Sequence, residues 1–200
     1  MREVDTPHGT ARLLIEHTLD PKAALVLGHG AGGSVSAPDL QAATRVALEE
    51  DVSVALVEQP YRVAGRRNAP PPPKLDEAWL AVVESLDFGL PLITGGRSSG
   101  ARVACRTAEA TGAVGVLCLA FPLQPPQRSS GTLPSDRLAE LDAVSVPVLV
   151  VQGRSDQFGV PAEGPERTVV VVDGDHSLRK DLSAVGEAVR VWLRGLLQAA

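Results

Sequence analysis

The sequence predicts an α/β fold: a mostly parallel central sheet with helices on both faces, built as a single domain over residues 1–200. Three observations carry that prediction. Short apolar runs at 23–27, 51–57, 92–96, 113–120, 146–153 and 168–172 show little alternation, as strands buried on both faces do. Helical patterns alternate with them, at 38–50, 75–86, from 98 to about 110, at 136–141, and at 182–197 after the last run. His29, Ser98, Asp156 and His176 each fall just beyond the carboxyl end of such a run, the edge where open α/β sheets bind ligands.

Taken in order, residues 2–17 read as a hairpin, with 10–16 the clearer strand and Pro7-His8-Gly9 the turn. His8 and His17 read as surface residues. The 23–27 strand ends in Gly28-His29-Gly30-Ala31-Gly32-Gly33. This loop is not G-x-G-x-x-G, Glu58 lies too far along for a dinucleotide site, and the G-K-[ST] ending of a phosphate loop is missing. Its glycines could instead place backbone N–H groups around an oxyanion. Pro38 suits the first turn of the next helix, with Leu40, Ala43 and Ala47 on one side. After the 51–57 strand, residues 62–73 read as loop, with Pro70 to Pro73 extended and outside any helix. Trp79, Leu80 and Val83 form the core face of the 75–86 helix. Residues 121–135, rich in proline and serine, read as irregular and as the one candidate lid, a small one. Val185, Val189, Trp192 and Leu196 make one stripe of the last helix.

Composition narrows the class. Hydrophobic residues make up 44% and charged residues 22%, an ordinary globular balance. A net charge of −5 argues against nucleic acid as a partner held by bulk charge. No apolar run is long enough to span a bilayer, and Met1-Arg2-Glu3-Val4-Asp5 has no apolar secretory signal, so a cytoplasmic protein with no membrane partner is expected. Cys105 and Cys118 lie in apolar stretches and are expected as buried free thiols. Neither C-x-x-C nor H-E-x-x-H occurs, so no metal site is expected.

The 92–96 run leads into Gly96-Arg97-Ser98-Ser99-Gly100, which is G-x-S-x-G, and a helix follows at once. Strand, tight turn and helix in that order are what a nucleophile elbow needs. The turn lifts the Ser98 hydroxyl clear of the sheet and leaves the Ser99 N–H at a helix N-terminus, facing an oxyanion. The competing reading of the same residues is a glycine-rich turn with a capping serine. A nucleophilic serine needs a base, usually a histidine oriented by a carboxylate. Ser98, Asp156 and His176 supply these in the order Ser, Asp, His. Asp173 and Asp175 are rival carboxylates, Asp175 being better suited to capping its own loop. His29 is the rival histidine and reads as a loop-shaping residue. Ala31 is the expected second oxyanion N–H donor, with Gly32 as its alternate.

These stretches resemble the α/β-hydrolase superfamily, within it the dienelactone-hydrolase-like group, and more narrowly a branch of small predicted hydrolases related to the hydrolase-like domain of the non-specific-lethal chromatin-complex subunit. The resemblance rests on Leu27 to Gly33, Gly95 to Arg102, Ala120 to Leu123, Val151 to Gly159 and Gly174 to Leu178. It runs from about residue 23 to the C-terminus. One departure is Ser99-Gly100-Ala101, where many relatives carry a methionine and a second glycine after the nucleophile.

The resemblance implies a compact α/β-hydrolase fold with little or no lid, and a serine esterase of carboxylesterase type. Ser98, His176 and Asp156 are the expected catalytic residues, with Ala31 and Ser99 as oxyanion donors. No cofactor is implied, and the expected partner is a small-molecule acyl substrate, the protein being a monomer or homodimer. Arg62 and Arg97 are candidate holders of an anionic substrate group, because an arginine fork matches a carboxylate. Arg66 and Arg67 read as solvated loop charges. The alternatives are a non-catalytic hydrolase-fold scaffold, and a thioesterase or transacylase using the same serine.

Overall fold

The computed structural model describes residues 1–124 and 137–199. The N-terminal half contains β1 (Arg2–Thr6), β2 (Gly9–Glu16), β3 (Ala23–Gly28), α1 (Pro38–Glu49), β4 (Val52–Glu58), α2 (Pro60–Val63), α3 (Pro72–Glu84) and β5 (Leu92–Arg97). It is followed by α4 (Ser99–Thr111), β6 (Gly115–Leu119), α5 (Leu138–Asp142), β7 (Val148–Gly153), β8 (Arg167–Val172) and α6 (Leu182–Ala199). The strands form an eight-stranded sheet in the order β1-β2-β4-β3-β5-β6-β7-β8. From β4 to β8 every neighbouring pair is parallel, and the β1–β2 hairpin joins antiparallel through β2 on β4.

All but the last of the apolar runs become central strands because both their faces are covered, whereas the 168–172 run forms the edge strand β8. All of β3 is buried. Leu25 and Leu27 enter a layer with Leu40 and Val46 of α1 and Val185 and Val189 of α6. Val26 points the other way, to Trp79 and Val82 of α3 and Val103 of α4. Farther along, Cys105 of α4 meets Cys118 of β6, with the sulfurs 3.5 Å apart. Both are buried free thiols, as expected. Contact with Cys105, together with burial, pushes the Cys118 thiol well above its usual value. The outer strands differ in character. On β1, Arg2, Glu3 and Asp5 are exposed. On β8, Thr168 and Val171 are exposed, with Val169 and Val170 half-buried.

The strand order positions the site. From β3 the chain steps one way to β4, then returns across β3 to reach β5. The loops leaving β3 and β5 therefore diverge and open a crevice at the carboxyl edge.

Two stretches differ from expectation. Residues 62–73 are not wholly loop, since Pro60–Val63 turns as α2 and α3 starts at Pro72. Proline has no N–H to lose in a first helical turn, and its φ already suits a helix, so the end of the proline run starts a helix. Only its beginning stays extended, with Pro71 at φ −54° and ψ 150°. Of the candidate lid, 125–135 lies outside the described residues, as does Asp136, and α5 starts at Leu138. Among the described residues, no helix is long and apolar enough to cross a membrane.

Candidate active site

Ser98 sits between β5 and α4 with φ 52° and ψ −109°. A non-glycine residue in such a conformation costs about 1–3 kcal/mol and persists only where its surroundings impose it. Here the Ser98 N–H donates to the Leu119 carbonyl at 2.9 Å, and its own carbonyl accepts from the Arg102 N–H at 3.2 Å. The flanking glycines let β3, β5 and α4 meet. A Cβ on Gly96 would stand 2.5 Å from the Gly28 carbonyl oxygen, and one on Gly100 would crowd the same atom. The Ser98 side chain makes no capping bond, which removes the capping-serine reading. Its Oγ lies 3.0 Å from His176 Nε2 instead.

His176 follows β8, and its Nδ1 lies 2.8 Å from Asp156 Oδ2. The structure thus brings Ser98, His176 and Asp156 into one hydrogen-bonded row. Asp156 is held by more than His176. Its Oδ1 accepts the Phe158 N–H at 2.9 Å, and its Oδ2 also accepts from Gln152 Nε2 at 2.8 Å. Gln152 is fully buried on β7 and also reaches the Phe121 and Gly159 carbonyls. Sequence reasoning assigned it no role, although an amide inside an otherwise apolar buried run is the visible signal. The Phe158 ring meets His176 edge-on at 4.6 Å between centroids. The rival carboxylates are occupied. Asp173 pairs with Lys180 at 2.7 Å, and Asp175 accepts both the backbone N–H and the hydroxyl of Ser177, capping its loop.

The loop after β3 is anchored from beneath. The Gln59 N–H donates to His29 Nε2 at 3.1 Å, so this nitrogen carries a lone pair and the proton sits on Nδ1, which faces the Gly30 carbonyl at 2.8 Å. His29 therefore ties the end of β3 to the end of β4 as a neutral ring, fulfilling its loop-shaping role. Ala31 follows, and its carbonyl accepts the Tyr61 hydroxyl at 2.7 Å. Tyr61 is a second residue that sequence reasoning did not single out. Ser99 is the first residue of α4, where backbone N–H groups have no partner within the helix.

Burial pushes the His29 pKa below its usual 6.5, against the Gly30 carbonyl and Glu58, with Arg62 adding to the lowering. The unfolded chain therefore takes up this proton first as pH falls, and His29 contributes stability above about pH 6.5 that is lost on acidification through its folded value. Asp39 acts in the opposite sense, because burial raises its carboxyl. The expected result is that urea unfolding midpoints of His29→Asn vary less than those of wild type between about pH 7 and about pH 5. Identical slopes would refute the assignment.

The two candidate arginines are placed differently. Arg97, expected as a holder of an anionic substrate group, is engaged within the fold. Its Nε lies 2.8 Å from Asp39 Oδ2, and its Nη2 donates to the His176 carbonyl at 2.8 Å. The Nε–H is not aligned for a hydrogen bond, so the Asp39 contact is a close ion pair. Asp39 is fully buried, and removing one partner of such a pair costs about 3–5 kcal/mol. Two of its three guanidinium nitrogens are thereby taken up within the fold, which weighs against the expected role. Arg62 lies half-buried on α2, where Nη1 donates to the Arg66 carbonyl at 3.2 Å and Nε is buried without a hydrogen-bond partner. Arg66 and Arg67 are exposed, as expected.

A serine elbow after the strand that follows the order reversal, on an eight-stranded and mostly parallel sheet, defines the class of α/β hydrolases. Residues 21–190 match the family described as an alpha/beta hydrolase domain, and the chain belongs to that family. Solved structures agree with the fold. Est1E from Butyrivibrio proteoclasticus superposes with a TM-score of 0.78 at 17% identity, covering 98% of each chain. XC6422 from Xanthomonas campestris, described as an α/β serine hydrolase without lid, gives 0.74 at 20% identity over 96% of this chain and 93% of its own. TT1662 from Thermus thermophilus gives 0.69 at 23% identity over the whole of both chains. Among curated proteins none matches.

Proposed function

We propose that the protein is a serine hydrolase that cleaves an ester or a related acyl bond through an acyl-enzyme on Ser98. The observation that carries this reading is the row from Ser98 Oγ through His176 to Asp156, at 3.0 and 2.8 Å. Asp156 keeps the His176 proton on Nδ1 and so presents the Nε2 lone pair to the serine. Ser98 Oγ then attacks the acyl carbon as its proton passes to Nε2. The N–H groups of Ser99 and Ala31 hold the oxyanion, a single donor of this kind being worth about 3 kcal/mol. His176 returns the proton to the leaving group, and water attacks the acyl-enzyme by the same route. The narrower kinship to the dienelactone-hydrolase-like group is part of this proposal and rests on the stretches quoted above.

A fluorophosphonate probe tests the reading directly. Wild type is expected to be labelled on Ser98, and Ser98→Ala to remain unlabelled. A wild-type chain that resists labelling while folded would favour the scaffold alternative.

Arg62 stays a candidate for an anionic group on the substrate. Arg62→Ala is then expected to slow a carboxylate-bearing ester about tenfold relative to its neutral counterpart, the effect of one charge-assisted hydrogen bond. An unchanged ratio of the two rates sinks the idea.

A further inference from the structure

We propose that Arg97 is a positioning residue, which ties the His176 loop to the start of α1 beside Ser98; this rests on the acyl-transfer reading above. Arg97 is the last residue of β5, directly before Ser98, and its side chain is 17% exposed. Two of the guanidinium nitrogens reach two different segments. Nε lies 2.8 Å from Asp39 in the first turn of α1, where the other carboxylate oxygen accepts the Leu40 N–H at 3.0 Å. Nη2 donates to the His176 main-chain carbonyl at 2.8 Å. Nη1 stands beside Gly30 without anchoring it, close enough that an added Cβ would be only 2.9 Å away.

A guanidinium is a rigid planar fork, so these partners cannot move apart independently. The His176 ring is otherwise held by Asp156, by Phe158 and by its bond to Ser98. The Ser98 bond is broken once Oγ carries an acyl group. The Arg97 bond to the His176 backbone is not broken, and it keeps the base in place while water attacks. Geometry of this kind acts on kcat, since a misplacement of about 1 Å can cost a hundredfold in rate.

Arg97→Ala would strand the buried Asp39 carboxylate. The informative variants are Arg97→Lys, which keeps a charge opposite Asp39 but loses the fork, and the double variant Arg97→Met with Asp39→Asn, which removes both charges. In each, kcat on p-nitrophenyl acetate is expected to fall about tenfold or more while KM stays within about twofold. The downfield proton signal of the His176 Nδ1–H, followed by NMR in the same proteins, is expected to exchange faster with water. Wild-type kcat in a folded variant, or an unchanged Nδ1–H signal, overturns the proposal. If wild type resists the fluorophosphonate probe, the acyl-transfer reading fails, and the Nδ1–H signal alone decides the role of Arg97.

Discussion

Ser98→Ala is expected to lower kcat on p-nitrophenyl acetate by about 10⁶-fold, leaving only the residual rate that binding and oxyanion donors provide. The size follows from how the elbow is built. Ser98 Oγ has the His176 ring at 3.0 Å, and Ser99 is the next residue, opening α4. Alanine keeps the Cβ and the same strained φ, so the fold should be little affected and the loss should fall on chemistry. Thermal unfolding within about 2 °C of wild type, beside the loss of turnover, would separate the two. A variant that keeps more than about one-hundredth of the wild-type rate would place the nucleophile elsewhere.

Asp156→Asn is expected to cost about 10⁴-fold in kcat, because an amide disturbs the histidine tautomer. The carboxylate accepts three donors, from Phe158, Gln152 and His176. An asparagine has one oxygen and one NH₂ group, so the NH₂ must face either the Phe158 N–H or both Gln152 and His176. If it faces His176 Nδ1, the ring turns over its proton and Nε2 can no longer accept from Ser98. If it faces the Phe158 N–H, a part-buried donor loses its partner, at about 1 kcal/mol of stability. Asp173→Asn is the control, since Asp173 is paired with Lys180 on the surface and should leave kcat unchanged. A larger effect from Asp173 than from Asp156 would reverse the assignment.

The residues that form the row were legible because each follows its own apolar run, and strand ends are marked by local sequence. Ser98 carries its flanking glycines with it, and His176 comes directly after the last apolar run. What supports them was harder to read. Gln152 interrupts an apolar run, yet nothing local says that its amide reaches Asp156, Phe121 and Gly159. Tyr61 meets Ala31, and Arg97 meets Asp39 and His176, only because the strand order returns β5 across β3 and stacks β6, β7 and β8 beyond it. That order depends on packing of whole layers, so a free loop charge and a buried clamp look the same in the chain. Pro72 was misread for a local reason: consecutive prolines favour an extended chain, while the last of them equally suit a first helical turn.

The two ends of the sheet have unequal consequences for how the protein survives stress. A strand edge offers unpaired backbone groups to any other chain, and charges along it discourage such pairing. The β1 end carries Arg2, Glu3 and Asp5. The β8 end is Arg167-Thr168-Val169-Val170-Val171-Val172, a β-branched segment whose one charge, Arg167, is turned toward Asp142. Heating or partial opening that loosens α6 would uncover the kind of short, uncharged segment that seeds intermolecular sheets. Aggregation of this chain should therefore begin at its last strand, while the hairpin end is guarded.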